Sequence, residues 1–378
     1  MKKVLLASSA LALVGSFASP AAAAEWNMRV GGYMTQAVGF ADVDANFSGE
    51  FDGVDVYSDT EIHFVPSITL DNGIQFGANI QLEGNTSGDQ IDESYMFIKG
   101  SFGEVLIGSE NSAGYKMHYG PPNPGILGIN SGTFSAWIPF SVGGAQLFRG
   151  TLGTTFIENE GNNDAQRFTY FTPRFSGFQL GVSYARDGLQ DTNVQVDENS
   201  TLANIFDIGA NYVQSFGDMS VALSGRYGTG SVKGGPDPDI WSVGLNLGMA
   251  GFTIGGSYAE QNDAGVLNGE AFDLGISYET GPWGVSFTYF HGENKGNGDG
   301  EKDWTLNAKT GAIKAPTFAA ESGDEEVDQY LVGLSYDLAK GVNLSAYGAY
   351  VDFNDASGGL SDDSIDGFII GTGIKIKF

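Results

Sequence analysis

The chain of 378 residues contains no cysteine, only 3 histidines, and 18 lysine and arginine residues against 46 aspartate and glutamate residues. Without cysteine there is no disulfide framework, zinc–thiolate site, iron–sulfur cluster or cysteine nucleophile. The net charge of −28 argues against nucleic acid as a partner, because nucleic acid requires a surface rich in lysine and arginine. After the N-terminal segment no run of ~18 consecutive apolar residues occurs, so the sequence predicts no transmembrane helix.

Residues 1–24 have the pattern of a secretory signal peptide. The basic residues Lys2 and Lys3 are followed by an apolar stretch over residues 4–14 and then by an Ala-Ala-Ala sequence, which predicts cleavage after this segment. A membrane anchor is the alternative, but the apolar stretch is shorter than the ~20 residues that cross a bilayer. The predicted mature chain, residues 25–378, is then an exported single domain.

Large apolar residues alternate with small or polar ones along the rest of the chain. On a strand, residues i, i+2, i+4 and i+6 share a face, whereas on a helix i and i+6 lie ~240° apart. The pattern therefore predicts strands, and aromatic residues stand at both ends of each apolar face. The clearest copies are residues 178–184, 252–258, 272–278, 283–289 and 330–336.

The two strand faces indicate the solvent on each side. The polar face carries Gly, Ser, Thr, Asn and Gln, whereas the outer face of a soluble sandwich carries Lys, Glu and Arg. An apolar face bordered by aromatic residues is typical of a transmembrane barrel with lipid outside and water inside. We therefore predict an all-β fold, a transmembrane antiparallel β-barrel. We expect the 57 glycines in turns and at lumen-facing positions, the acids mainly in the long connections, and the strands nearly free of acids.

About sixteen strands can be counted, and their connections alternate between short turns and long segments. The short connections contain turn residues such as Asp-Asn-Gly and Thr-Gly-Pro. Short periplasmic turns and long outer loops are the arrangement of bacterial outer-membrane barrels. The longest connection covers residues 110–164.

Three segments resemble the Gram-negative general porin family, in its alpha-proteobacterial type. They are the opening strand over residues 26–33, the segment over residues 166–178, and the last strand, which alternates apolar residues and ends at Phe378. The resemblance covers essentially the whole predicted mature chain. It implies a sixteen-stranded barrel, a homotrimer in the outer membrane, and passive diffusion of ions and small hydrophilic solutes. It also implies contact with membrane lipid and lipopolysaccharide, and a terminal Phe378 that the outer-membrane assembly machinery reads.

The family likeness also implies that the third outer loop, residues 110–164, folds into the pore. The apolar stretch around Phe134, Trp137 and Phe140 fits a loop that packs on the inner wall rather than in water. The Pro-Glu-Phe-Gly-Gly-Asp motif of enteric porins is absent from this loop.

Charges that line a narrow aqueous pore set its selectivity. The candidates on the loop side are Glu110, Glu158, Glu160 and Asp164, and the candidates on the wall, by strand parity, are Arg29, Arg167 and Arg226. Opposed acids and bases would orient polar solutes. The alternative interpretation is that the loop acids form a solvated outer rim. Because acids dominate the chain, we predict a preference for cations.

Calcium in the acidic outer loops is a weaker hypothesis. Asp42, Asp44 and Asn46 match the first ligands of an EF-hand, but Phe47 stands where that loop needs glycine. A second acidic run, over residues 297–301, fails in the same way. Solvated acidic loops are the alternative, and we predict no other cofactor.

An enzyme or another kind of channel is the remaining alternative. His63, His118 and His291 are the candidate bases, but no nucleophile elbow, H-E-x-x-H sequence or phosphate-binding glycine loop accompanies them, so no catalytic residue is predicted. A substrate-selective channel would use an ordered aromatic track, for which Phe134, Trp137 and Phe140 are the candidates. A structural or adhesive barrel would not conduct.

Overall fold

Sixteen strands form one closed antiparallel barrel in the computed structural model, as predicted. The structure describes residues 25–45, 51–85, 90–130, 137–138, 149–159, 163–190, 202–264, 268–295, 305–307, 312–314, 324–355 and 364–378. The predicted signal peptide lies outside these residues. The strands are β1 (Asn27–Ala45), β2 (Gly53–Thr69), β3 (Gln75–Glu83), β4 (Ile91–Gly100), β5 (Gly103–Ser109), β6 (Gln166–Phe171), β7 (Phe178–Asp187), β8 (Ala203–Phe216), β9 (Met219–Ser231), β10 (Asp239–Met249), β11 (Phe252–Asn262), β12 (Gly269–Thr280), β13 (Trp283–Lys295), β14 (Thr305–Asn307), β15 (Ala312–Lys314), β16 (Asp324–Ala339), β17 (Val342–Asp355) and β18 (Ser364–Lys377).

The order of strands around the barrel follows the chain. Strand β13 lies next to β16, because β14 and β15 form a separate two-stranded hairpin that the sequence analysis does not predict. The barrel closes where β1 pairs with β18, from Tyr33 opposite Lys377 to Ala45 opposite Ile365. Every strand of the barrel therefore has a hydrogen-bonded neighbour on both sides.

Short turns lie at one rim of the barrel and long connections at the other, as predicted. In the turns between β8 and β9 and between β12 and β13, Gly217 and Gly281 have φ values of 63° and 56°. Glycine adopts this left-handed region without a steric penalty, which allows the tight reversal.

The barrel wall has an apolar outer surface and a polar inner surface. In β12, Leu274 is 59% exposed on the outside, whereas its neighbour Asp273 is 1% exposed and points inward. Aromatic pairs mark both edges of the apolar surface, among them Trp283–Tyr336 at one rim and Tyr289–Tyr330 at the other. Among the described residues, no helix is long and apolar enough to cross a membrane.

The described parts of the connection between β5 and β6, within residues 110–164, fold into the barrel, as predicted. The connection contains a short helix, α1 (Ala113–Met117), that the sequence analysis does not predict. Farther along, Leu127, Trp137 and Leu152 are buried in a hydrophobic core with the inward side chains Tyr347 and Phe353 of β17. The loop therefore fills part of the lumen and narrows it.

Candidate pore constriction

The loop is fixed to the wall first through its short helix. The Ser112 hydroxyl caps α1 by accepting a hydrogen bond from the backbone N–H of Tyr115 at 3.3 Å. The backbone N–H of Gly114 donates to Asp207 Oδ1 of β8 at 2.5 Å. The N–H groups that a helix start leaves without intrahelical partners therefore hold the loop against the inner wall.

Inward-facing glycines make room for the loop. A Cβ atom on Gly244 of β10 would overlap the carbonyl oxygen of Tyr119, and a Cβ atom on Gly275 of β12 would lie 2.8 Å from Cβ of Pro121. Side chains at these two positions would push the loop off the wall. The sequence analysis places glycines in the lumen but does not identify what they face.

The returning part of the loop is anchored on Asp273 of β12. This buried carboxylate accepts hydrogen bonds from Thr155 Oγ1 at 2.7 Å, Asn130 Nδ2 at 2.7 Å and Ser257 Oγ at 2.8 Å. Two loop side chains and one side chain of β11 thus share one acceptor. Burial of a carboxylate is costly unless donors such as these are in place. Asp273 therefore holds Thr155 and Asn130, and with them the loop, against the wall.

Arg226 of β9 and Glu158 of the loop are in direct contact. Arg226 Nη2 lies 3.1 Å from Glu158 Oε2 and 2.5 Å from Asp207 Oδ2, and all three side chains are buried. Burial alone would raise the pKa of Glu158, but the guanidinium groups of Arg226 and Arg167 hold this pKa below its usual value. The predicted loop acid and wall base are therefore a buried contact that holds the loop to β9, and they do not face each other across open water.

Three other predicted residues lie where the loop leaves and rejoins the wall. Glu110 follows β5 and is buried, with Oε2 2.7 Å from Lys116 Nζ. Asp164 is buried near the start of β6. Its burial is the main reason why its pKa lies well above the usual value, and the negative charge of Asp92 adds to this effect. Arg167 of β6 is also buried and interacts electrostatically with Asp164. The structure thus brings two of the predicted acids and one predicted basic residue to the two ends of the loop, where it joins the wall.

The remaining predicted residues lie apart from the loop anchors. Arg29 of β1 is exposed and lines an inner cavity with Tyr95 and Lys99, near the rim with short turns. Phe378 is 62% exposed at the end of the last strand, where its backbone exchanges hydrogen bonds of 3.1 Å with β1. Its role in assembly stays a prediction. Glu160 lies outside the described residues.

A group of strand acids that the sequence analysis misses lies on the inner wall. The acidic wall, as we call it, comprises Asp59 and Glu61 of β2, Glu83 of β3, and Asp92 and Glu93 of β4. The expectation that the strands are nearly free of acids is wrong. It fails because the inner side of a barrel is polar, so a carboxylate there need not enter lipid.

Strand parity turns Asp59, Glu61, Glu83 and Glu93 inward, and Asp92 joins them where the register between β3 and β4 shifts. Val65 of β2 and Tyr95 of β4 pack inside the barrel against α1, and alternation puts Glu61 and Glu93 on the same face. The Tyr33 hydroxyl of β1 donates to Asp59 on this face at 3.1 Å. The parity rule that assigns Arg29 and Arg167 to the lumen could have identified these acids from the sequence, except Asp92, whose position depends on the register shift.

His118 is neutral in the folded protein. Its Nδ1 lies 3.3 Å from both Ser224 Oγ and Ser242 Oγ. Burial, with a contribution from Arg226, lowers the pKa of His118 to about 3, so the ring is a poor base near neutral pH. The other histidine contacts are His63–Glu61 at 2.9 Å and His291–Asp328 at 3.1 Å.

Replacing Arg226 should destabilise the barrel. Arg226→Met leaves Glu158 and Asp207 buried without their shared cation, and breaking a buried pair in this way costs ~3–5 kcal/mol. We expect a lower midpoint of thermal denaturation, measured by circular dichroism in detergent. Lys340→Met, at an exposed position in the turn between β16 and β17, is the control and should leave the midpoint nearly unchanged. Equal midpoints for the two variants would show that Arg226 does not anchor the loop.

His118 should make the protein less stable in acid. The unfolded chain binds a proton at His118 below about pH 6.5, whereas the folded chain binds it only near pH 3, so stability falls as the pH falls between these values. Each pH unit in this window costs ~1.4 kcal/mol. Between about pH 6.5 and 4.5 the wild type should lose roughly 2–3 kcal/mol more than His118→Asn in urea titrations. Parallel profiles of stability against pH for the two proteins would show that the pKa of His118 is not lowered in the folded protein.

Comparison with known proteins identifies the family. The family model described as Gram-negative porin matches residues 7–356. An outer membrane porin protein of Bordetella pertussis is 26% identical, over 93% of this chain and 94% of that protein. An uncharacterized protein of Rickettsia bellii is 29% identical over 50% of this chain and 48% of its own length.

Solved porin structures share the fold. An anion-selective porin from Comamonas acidovorans superposes with a TM-score of 0.58 at 17% identity, over 94% of this chain and all of that one. The trimer form of OmpT, an outer membrane protein of Vibrio cholerae, gives a TM-score of 0.59 at 13% identity, over 93% of this chain and 99% of that one. With a family model that spans nearly the whole sequence and a closed sixteen-stranded barrel, the chain belongs to the Gram-negative porin family of outer-membrane channels.

Proposed function

We propose that this outer-membrane porin is a passive, water-filled channel for ions and small hydrophilic solutes, that it prefers cations, and that it works as a homotrimer. The observation that carries the cation preference is the acidic wall. Charges on the wall of a narrow aqueous pore are focused by the surrounding low-dielectric material, so negative charge there attracts cations and repels anions.

The carboxylates in the described part of the loop are buried, whereas most carboxylates of the acidic wall are partly exposed. Glu110 is buried beside Lys116, and Glu158 shares the buried cation of Arg226 with Asp207. Asp59, Glu61 and Asp92 are half-buried and Glu83 is exposed. The field in the channel should therefore come mainly from the strands β2 to β4. The Comamonas neighbour is named for anion selectivity, so the shared fold does not determine the sign.

Passive diffusion is favoured over a substrate-selective channel by the position of Trp137. Its ring is buried against Gly39 of β1, with the Tyr347 ring 6.3 Å away. It therefore fills the space behind the loop rather than facing a solute. Phe134 and Phe140, the other members of the candidate track, lie outside the described residues.

A polar patch on the outer surface supports the homotrimer. On β1, Gln36 lies between Met34 and Val38, which are exposed on the outside, and it accepts a hydrogen bond of 2.6 Å from Ser58 of β2. Thr372 of β18 is exposed beside them. Polar side chains are costly against lipid, and a protein contact can satisfy them. The trimer form of the Vibrio cholerae neighbour fits a trimer here as well.

Other partners and ligands are proposed on weaker grounds. The exposed Phe378 is available to the assembly machinery, and the outer rim to lipopolysaccharide. Calcium in the outer loops stays a prediction: Asp42 and Asp44 lie on β1, whereas Asn46 and residues 297–301 lie outside the described residues. A channel fold and a neutral His118 favour transport over catalysis.

Planar-bilayer recording tests the proposed channel. We expect ohmic conductance steps that occur in groups of three, and a reversal potential in a potassium chloride gradient that shows cation preference. Saturation of the current by a single sugar would favour a substrate-selective channel instead. The absence of conductance would contradict the channel, and a clear anion preference would contradict the assigned sign.

Removing charge from the acidic wall should weaken the cation preference. The double variant Asp59→Asn/Glu83→Gln should lower the cation-to-anion permeability ratio by at least about twofold, because the focused field falls with the wall charge. Asp71→Asn/Asp218→Asn is the matched control: it removes the same charge at exposed positions in the short turns. Equal permeability ratios in both double variants would place the selectivity elsewhere.

A further inference from the structure

Three carboxylates of the acidic wall have the spacing of metal ligands. One oxygen from each of Glu61, Asp92 and Glu93 lies within 4.8 Å of the other two. Oxygens that bind Ca²⁺ at ~2.3–2.6 Å are separated by up to ~5 Å, so one ion can contact all three. Glu93 is buried, whereas Glu61 and Asp92 are half-buried and therefore within reach of the channel.

A buried amide beside the carboxylates has an oxygen without a partner. Asn111 is 6% exposed, and its Nδ2 donates to Glu93 Oε1 at 2.8 Å, so the side chain is directed at the cluster. Its Oδ1 makes no hydrogen bond within the part of the chain that the structure describes. Buried polar atoms normally have a partner, so this oxygen points to a missing ligand. Amide oxygens are ordinary ligands of Ca²⁺.

A second buried oxygen near the cluster is in the same state. Asp164 is 2% exposed, and its Oδ1 has no hydrogen-bond partner among the described residues. Asp164 interacts electrostatically with Asp92 and with Glu93. Lys116, Arg149 and Arg167 offset part of the repulsion among these carboxylates, and a bound cation would offset more of it.

We propose that Glu61, Asp92 and Glu93, with the amide oxygen of Asn111, bind one Ca²⁺ ion where the loop leaves β5. A donor set made only of oxygens selects a hard cation rather than zinc or copper. Ca²⁺ suits this set better than Mg²⁺, because Mg²⁺ usually keeps several waters and binds only one or two carboxylates.

The bound ion would reduce the negative charge of the channel. It lies on the acidic wall, so its two positive charges offset part of the field that attracts cations. Cation preference should therefore fall as Ca²⁺ rises. This consequence rests on the proposed cation-preferring channel, whereas the binding site itself rests only on the geometry.

Terbium luminescence tests the site without using conductance. Protein that is folded in detergent and stripped of metal with EDTA is titrated with Tb³⁺. A nearby tyrosine sensitises the emission of bound Tb³⁺, and Tyr95 lies two residues from Glu93 on the same strand face. Added Ca²⁺ should displace the Tb³⁺. Asp92→Asn and Glu93→Gln should each weaken Ca²⁺ binding by at least about tenfold, because each removes a charged ligand. Glu279→Gln, an exposed residue at the end of β12, is the matched control and should bind as the wild type does.

Two variants keep the test decisive. Asp92 is half-buried, so Asp92→Asn remains informative if the buried Glu93→Gln fails to fold, which heat-modified migration on gels reveals. Wild-type Ca²⁺ affinity in folded Asp92→Asn, or failure of Ca²⁺ to displace Tb³⁺ from the wild type, would overturn the proposal.

Bilayer recording separates this inference from the proposed function. Millimolar Ca²⁺ should lower the cation preference of the wild type and have less effect on Asp92→Asn. A conducting protein that binds no Ca²⁺ at these residues would overturn the site and leave the channel in place. Ca²⁺ binding at these residues in a protein that does not conduct would overturn the channel and leave the site.

Discussion

The hydrogen-bonded closure of the strand ring is the constraint on which the rest of this structure depends. A bilayer offers no water to backbone N–H and C=O groups, so a sheet that spans it can have no free edge. Pairing of β1 with β18 removes the last edge. Once the ring is closed, every second side chain must point into the lumen. The inner surface can then be polar, and residues as costly in lipid as Asp207 and Arg226 become possible in strands.

A ring of sixteen strands encloses more space than the side chains of its wall can fill, and the loop over residues 110–164 occupies part of this space. The loop brings its own backbone polar groups with it, and these need partners. Asp207 and Asp273 supply them as acceptors for Gly114 N–H and for Asn130 and Thr155. The buried charges thus hold the loop in one place. They specify its position more than they add stability, because a buried ion pair is often no more stabilising than apolar residues of the same size.

The strands, the alternation of turns and the inward loop could be predicted because they depend on local patterns with a period of two. The path of the loop could not, because it depends on contacts between residues far apart in the chain. Arg226 and Glu158 show the difference: parity places Arg226 in the lumen, but only the folded loop shows that Glu158 covers it. Glu61 and Glu93 are a different case, since the same parity rule would have placed them inside.

The chain has a net charge of −28, but the position of each acid decides its effect. Glu110 pairs with Lys116, and Glu158 and Asp207 share Arg226, so these acids contribute less field at a distance than unpaired acids would. An exposed carboxylate such as Glu83 is in direct contact with the water of the channel. The charge that anchors the loop and the exposed charge of the acidic wall are thus carried by different residues. Substitutions at Asp59 and Glu83 would change the charge of the inner wall without removing a loop anchor, so the barrel fold alone does not determine selectivity.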